Sequence, residues 1–359
     1  MAEEPGMGES VLQVLELISL ATARNASDLH LSCGQVPNVR VRGRLEMLQQ
    51  SACSPEQIFA FLEQVFGEKE LKRFHQRREA NTAFQHPDGV RVRVHAYFRQ
   101  RLPSVAIRLF PRHIPLPEEL HIPPVLLDLI QQEQGLLLVT GPTGSGKSTT
   151  IASLIHYFNQ SQPLRIITLE DPIEYIHTPV QSMIEQREVG VDTVSFTQGV
   201  RSALRQDPDV IMIGELRDLE TIQAAIRAAE AGKLVLGTLH TGRASAAVHR
   251  LVDVFAPEQQ SLVCSQLASV LLGVVSQRLL PEQGSKKRIA AFEVLVNTTA
   301  MANLIRTDQR HQMQSLMQAG SAHGMQTLEA AIQQLIARGK IDSGFLSDKK
   351  RKCVGADHV

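Results

Sequence analysis

Nine residues in the middle of the chain, Gly141-Pro142-Thr143-Gly144-Ser145-Gly146-Lys147-Ser148-Thr149, restrict what this sequence can fold into more than any other stretch. The apolar run Leu136-Leu137-Leu138-Val139-Thr140 precedes them and reads as a buried strand. Thr150-Ile151-Ala152-Ser153-Leu154-Ile155 follows with the apolar spacing of a helix. Strand, glycine-rich turn and helix are the context that a phosphate-binding P-loop requires. The glycines let the backbone curl until successive N–H groups face one concavity, at a helix N-terminus whose dipole favours an anion. Lys147 has the reach for β- and γ-phosphates, and the Ser148 hydroxyl suits the shell of a Mg²⁺ ion. The pattern implies that the chain binds a nucleotide.

A chain of 359 residues is long for one domain, and two is the expectation. With 43% hydrophobic residues it can bury full cores, which argues against global disorder. Lys+Arg and Asp+Glu both number 37, so no whole-protein basic footprint for nucleic acid is present. Cys33, Cys53, Cys264 and Cys353 are far apart with no CxxC pair, which suggests neither a zinc site nor a disulfide framework and fits a reducing cytoplasm. The acidic start Met1-Ala2-Glu3-Glu4-Pro5 lacks a signal core. The most hydrophobic long window, residues 262–280, is broken by Ser265, Gln266, Ser269, Ser276, Gln277 and Arg278; it reads as a buried helix and not a membrane span.

Before the P-loop the patterns are those of a small α+β domain. Residues 10–23 have a helical apolar face, residues 27–32 alternate as a short strand, and residues 39–46 alternate as one half-exposed strand. Ser54-Pro55 opens a helix, and His86-Pro87-Asp88-Gly89 turns a hairpin whose second strand is Val90-Arg91-Val92-Arg93-Val94-His95-Ala96-Tyr97. Residues 104–110 add a strand, completing an antiparallel sheet. Pro111, Pro115, Pro117, Pro123 and Pro124 mark a stiff linker. Beyond it, the apolar runs 136–140, 165–169, 210–213 and 234–238 alternate with helical segments, as in a parallel sheet covered by helices. Residues from 324 onward form a helix and end in Lys349-Lys350-Arg351-Lys352, a solvated or frayed end.

Nucleotide hydrolysis needs a metal ligand, a group that orients water and positive charge against the transition state. Glu170, Asp171 and Glu174 follow the strand Ile166-Ile167-Thr168-Leu169. They suit a general base and a metal-shell group; the alternative is a charged loop with Asp171-Pro172 as a helix start. Asp209-Val210-Ile211-Met212-Ile213-Gly214-Glu215 closes an apolar strand on a carboxylate, the form of a Walker B element, with Glu215 at the metal shell. Arg217 and Asp218 form either part of that site or a structural ion pair. His240, flanked by Thr238 and Thr241, follows the strand 234–239 and suits a phosphate or carboxylate sensor, or a satisfied edge histidine. Arg91 and Arg93 share one face of their strand and Arg108 lies on its neighbour. Such arginines are solvated, or serve as arginine fingers if subunits form a ring.

With these motifs in order, the sequence resembles the PilT family of type IV pilus retraction ATPases, within the secretion-type motor proteins. The resemblance extends from Ser27-Asp28-Leu29-His30 to Gly324-Met325-Gln326-Thr327-Leu328. It rests on the P-loop and the acidic box Ile167-Thr168-Leu169-Glu170-Asp171-Pro172-Ile173-Glu174. It rests equally on Asp207-Pro208-Asp209 through Glu215-Leu216-Arg217-Asp218 and on the histidine box Gly237-Thr238-Leu239-His240-Thr241. Arg93-Val94-His95-Ala96-Tyr97 is similar to the family's N-domain arginine strand.

The resemblance implies an α/β protein: a PAS-like α+β domain over residues 1–110, a linker over 111–124, a RecA-like P-loop ATPase domain with a mostly parallel sheet and C-terminal helices over 125–345, and a basic tail over 346–359. It implies a homohexamer that binds ATP and Mg²⁺ and drives pilin subunits back into the bacterial inner membrane. The motor would be cytoplasmic and peripheral to that membrane, without insertion into it and without nucleic acid. It would act with a membrane platform protein and with a paralogous retraction ATPase. By position, Glu170 would be the catalytic glutamate, Glu215 would act on Mg²⁺ or its water, His240 would couple nucleotide state to the interface, and Arg93 and Arg108 would act in trans.

The lack of a tetracysteine zinc pattern and of a long N-terminal extension points to retraction over assembly or secretion. In two places the sequence departs from the family. Ala300-Met301-Ala302-Asn303-Leu304-Ile305-Arg306-Thr307 stands where the family carries Ala-Ile-Arg-Asn-Leu-Ile-Arg-Glu, and His95 stands where asparagine is usual. An assembly or secretion ATPase, or an accessory nucleotide-binding paralogue, are the competing expectations.

Overall fold

The computed structural model describes residues 7–285 and 287–344. They divide into two compact units. The first holds the residues up to His113 together with Pro172–Ile176, and the second holds Ile114–Asp171 and the residues from His177 onward.

The first unit contains α1 (Met7–Ala23), β1 (Ala26–Ser32), β2 (Asn38–Val41), β3 (Arg44–Met47), α2 (Pro55–Val65), α3 (Glu68–Arg77), β4 (Glu79–Gln85), β5 (Arg91–Arg99) and β6 (Leu102–Leu109). The strands form an antiparallel sheet in the order β3-β2-β1-β6-β5-β4. Period-2 alternation sorts β5: Val92, Val94 and Ala96 are buried while Arg93 on the opposite face is exposed. Ile18, Leu29, Leu31, Phe61 and Ile107 are fully buried in the core beneath. Each contributes about 1.5–3 kcal/mol relative to an exposed side chain. Ser54 begins α2 with a reciprocal capping box to Gln57, satisfying two otherwise unpaired N–H groups.

Residues 39–46 are not one strand. The alternation continues across a tight turn at Arg42 (φ 51°) and Gly43 (φ 82°), so they split between β2 and β3. Two residues of positive φ suit a type I′ hairpin, whose length preserves the period and hides the turn.

The second unit contains α4 (Pro124–Ile130), β7 (Gly135–Thr140), α5 (Lys147–Ser161), β8 (Arg165–Glu170), β9 (Met183–Glu188), α6 (Phe196–Ala203), β10 (Val210–Ile213), α7 (Leu219–Glu230), β11 (Leu234–Leu239), α8 (Ala244–Asp253), α9 (Pro257–Val270), β12 (Leu271–Pro281), β13 (Arg288–Val296), α10 (Thr299–Arg306), α11 (Met313–Ala319) and α12 (Leu328–Ala337). Its sheet runs β13-β12-β7-β11-β10-β8-β9, parallel throughout except for the antiparallel β12–β13 pair. Successive strand residues face opposite cores. Leu137, Val139, Ile166 and Met212 pack with α4 and α5, whereas Leu136, Leu138, Ile167 and Ile211 pack with α7, α8 and α9. Covered on both faces, β7, β10 and β11 are buried at every residue, which is why they read as unbroken apolar runs. The protein is thus mixed α/β, with a mostly parallel sheet and a helical C-terminal region.

The window 262–280 is not one helix either. Helix α9 ends at Val270 and the chain continues as β12 between β7 and β13. A strand buried on both faces is as apolar as a buried helix, and periodicity does not separate them. Among the described residues no helix is long and apolar enough to cross a membrane. The C-terminal Lys/Arg run lies outside the described residues.

Glu293 on β13 is fully buried and accepts from the Ala244 N–H at the start of α8 at 2.7 Å. Burial pushes its carboxyl up, against the lowering effects of that hydrogen bond and of Arg243. With the folded value above the unfolded one, its contribution to stability is fully present below the ordinary carboxylate range and is lost as pH rises through the folded value. Glu293→Gln, which keeps an acceptor oxygen, is therefore expected to raise Tm at pH 8 and to lose that advantage as pH falls toward about 4.5. Equal Tm shifts across that range in thermal melts would overturn this account.

Candidate active site

The site lies at the carboxyl ends of the central strands of the second unit, where β7 has β12 on one side and β11 on the other. Open parallel sheets bind ligands at this edge because strand ends and helix N-termini converge there. Gly146 occupies the N-cap of α5 in the left-handed region (φ 91°) and supplies no capping side chain. The first turn of α5 therefore presents Lys147 and Ser148 with its uncapped dipole end. The Lys147 Nζ donates to the loop carbonyls of Gly141 (2.8 Å) and Pro142 (3.2 Å) and stands 3.4 Å from His240 Nδ1. Ser148 is exposed in the same turn.

The sheet brings the two acidic segments together. Leu169 on β8 pairs with Ile213 on β10, so Glu170 and Gly214-Glu215 follow side by side. Gly214 explains why no larger residue stands before the carboxylate: a Cβ there would lie 3.0 Å from the Leu169 carbonyl and 3.4 Å from the Glu170 Cα. Glu170 accepts from the Thr168 hydroxyl at 2.7 Å and the Gln186 amide at 3.1 Å, through one oxygen. Glu215 pairs with Arg217 at 2.6 Å and with His240 Nε2 at 2.9 Å. The Arg217 guanidinium is raised above its ordinary range, chiefly by the hydrogen bond to Glu215. With Arg217 69% exposed, that pair contributes at most about 1 kcal/mol to stability. Its consequence is orientation of the carboxylate.

His240 is anchored on both sides. Thr238 donates to the Gly214 carbonyl, and the Thr140 hydroxyl at the end of β7 lies 2.6 Å from both the carbonyl and the hydroxyl of Thr241. The loop after β11 is thereby tied to the Glu215 strand and to the P-loop strand. The result is a continuous row, Lys147–His240–Glu215–Arg217, along the strand ends.

The arginines belong to the first unit. Arg93 stands opposite Arg108 in the β5–β6 register, in the sheet of the first unit. Arg108 Nε pairs with Asp28 Oδ1 at 3.1 Å, and Asp28, Asn81, Arg93, His95, Ala106 and Arg108 line a groove of about 340 Å³. His95, at the position where asparagine is usual, is 2.9 Å from Asn81 Oδ1 through Nδ1. Glu174 falls within Pro172–Ile176, the segment that belongs to the first unit, where Arg91 Nε donates to the Ile173 carbonyl at 3.4 Å. Glu174 thus belongs to the first unit, and Glu170 and Asp171 to the second.

Three partners were not read from the sequence. Arg217 pairs with Glu215 and not with Asp218, which caps α7 by accepting from Thr221 N; its spacing of two from Glu215 was the available signal. Gln186 on β9 supports Glu170, and Gln277 on β12 supports α5. Both arrive from strands remote in sequence, and no local pattern marks them.

A glycine-rich loop on a parallel sheet, with a lysine inside it and two carboxylates on adjoining strand ends, defines a P-loop ATPase. The sequence profile of the family described as type II/IV secretion system protein matches residues 9–343. The chain is 41% identical over 340 residues to the type IV pilus retraction ATPase PilT of Pseudomonas aeruginosa, covering 95% of this chain and 98% of that one. It is 38% identical to the type IV pilus ATPase PilU of the same organism, covering 91% and 85%. A crystal structure of the pilus retraction motor PilT with bound ADP superimposes with a TM-score of 0.85 at 42% identity, covering 92% of this chain and 94% of that one. The chain belongs to the type II/IV secretion system ATPase family, among its PilT-like members.

Proposed function

We propose that this chain is a motor ATPase that couples ATP hydrolysis to type IV pilus retraction, working as a homohexamer at the cytoplasmic face of a bacterial inner membrane. The observation that carries the chemistry is the row Lys147–His240–Glu215–Arg217 beside Glu170 at one sheet edge. The output rests on similarity to PilT over nearly the whole chain. The residues fit the substrate: α5 begins on a glycine with no side-chain cap, as an anion site needs. They also fit Mg²⁺. Among the described residues no group of three or more His, Cys, Asp or Glu side chains is arranged to hold a metal ion. Mg²⁺ at such sites takes one or two protein groups and completes its shell with substrate phosphates and water, and here Ser148 and Glu215 would hold it.

Mg²⁺, when bound, neutralises charge developing on the phosphates. The residues of the chain do the rest. Residues 141–149 cradle the phosphates, and Lys147 exchanges its loop carbonyls for phosphate oxygens, which are stronger acceptors for a cation. Glu170 orients the attacking water and takes its proton; the water oxygen bonds to the γ-phosphorus as the bridging P–O bond breaks, giving ADP and phosphate. Glu215, held by Arg217 and His240, stays a fixed anion at the metal shell. His240 touches both Lys147 and Glu215 and so reports phosphate occupancy to the acidic strand. Arg93 and Arg108 serve a neighbouring subunit's nucleotide, with Arg108 leaving Asp28. A platform protein in the membrane and a paralogous ATPase are the partners, with no nucleic acid and no membrane insertion by this chain.

One observation favours a second reading, an accessory subunit in a mixed motor. On α10, Ala302 packs against the core where the family has arginine, and at the C-cap the Thr307 hydroxyl donates to the Asn303 carbonyl where the family has glutamate. The surface available to a partner is therefore different. Mg²⁺-dependent ATPase rate against protein concentration, with light scattering on the same samples, separates the readings. A rate per subunit that rises steeply as hexamer forms supports the motor. Tight ATP binding without turnover at any concentration supports the accessory subunit.

A further inference from the structure

Gln277 takes no part in the motifs above, yet it is 3% exposed and lies against the phosphate loop. Ser276 on β12 pairs with Thr140, the last residue of β7, so Gln277 stands where β7 gives way to the loop. Its Oε1 accepts from the hydroxyl of Thr150, itself fully buried in the first turns of α5, at 2.7 Å. A Cβ on Gly146 would lie 2.9 Å from Gln277 Nε2, and one on Gly141 would lie 2.5 Å from the Gln277 carbonyl. Both ends of the loop are thus pressed against one residue. At Gly141 it is the Gln277 backbone itself that leaves no room for a side chain.

We propose that Gln277 is a positioning residue for the phosphate loop, acting through Thr150 and Gly146; the inference rests on the ATPase reading. A helical threonine hydroxyl ordinarily bonds back to the carbonyl four residues earlier, which bends the helix. For Thr150 that carbonyl is Gly146 O, already the acceptor for Thr150 N at 3.0 Å. Gln277 takes the hydroxyl instead and ties the first turns of α5 to β12, which sets Lys147 and Ser148 before any nucleotide arrives. Preorganisation of this kind lowers the ordering cost of binding, so its loss falls on affinity and not on the chemical step.

The test is steady-state MgATP hydrolysis, with titration of a fluorescent ADP analogue as a direct binding readout. Gln277→Leu and Thr150→Val are each expected to raise KM and the analogue's Kd about tenfold, about 1.4 kcal/mol, with kcat changed less than about twofold. The double variant should be no worse than either alone, because both remove one interaction. Thr150→Ser, which keeps the hydroxyl, should restore the parental KM. If Gln277→Leu folds poorly, the Val and Ser variants at Thr150 carry the comparison. A KM that does not distinguish them, or a fall in kcat at constant KM, overturns the proposal while parental activity stands. A parental chain that neither binds nor hydrolyses MgATP defeats the underlying reading instead.

Discussion

Glu170→Gln is expected to bind MgATP within a few-fold of the parental chain and to turn it over about 10²–10⁴ times more slowly. The substitution preserves shape and leaves an oxygen for the Thr168 hydroxyl and the Gln186 amide, which hold Glu170 at 2.7 and 3.1 Å. It removes only the negative charge that orients and deprotonates water. Single-turnover phosphate release, with nucleotide titration alongside, measures both effects. Normal turnover would transfer the role to Glu215. Glu215 is held by Arg217 and His240 at 2.6 and 2.9 Å, both through Oε1, which fits the fixed anion proposed for it at the metal shell.

Lys147→Ala is expected to weaken nucleotide binding by about 10²-fold or more and to abolish hydrolysis. The amine now bonds to the Gly141 and Pro142 carbonyls and contacts His240. Each charge-assisted hydrogen bond it makes to a phosphate is worth about 1.5–3 kcal/mol, and two suffice for that loss. Stability should change little, since Lys147 is only half-buried. Titration with a fluorescent nucleotide, checked against Tm, decides the matter. Undiminished affinity in a folded variant would remove the loop from the binding site. Turnover lost with binding retained would confine Lys147 to the transition state.

Much of this site is written in the order of residues along the chain. The P-loop reads directly because its chemistry is local: a strand, a turn of small residues and a helix N-terminus occupy about twenty consecutive positions. Glu170, Glu215 and His240 read almost as well. Each sits at the end of an apolar run, and parallel strands bring such ends to one edge. The errors have local causes. A two-residue turn at Arg42-Gly43 kept the alternation of β2 and β3 in phase, and β12 imitated a helix because both of its faces are covered.

What the sequence by itself determined is therefore the class of site and the sheet that carries it, since periodicity and motif spacing are properties of neighbours along the chain. The tertiary structure alone decided the partners. Arg217 turns to Glu215, Gln186 comes to Glu170 from β9, Gln277 comes to Thr150 from 127 residues away, and Pro172–Ile176, which begins inside the acidic box, joins the first unit. Hydrogen bonds and ion pairs act over a few ångströms of space whatever the separation in sequence. Strand order, which no local pattern encodes, chooses which polar side chains meet.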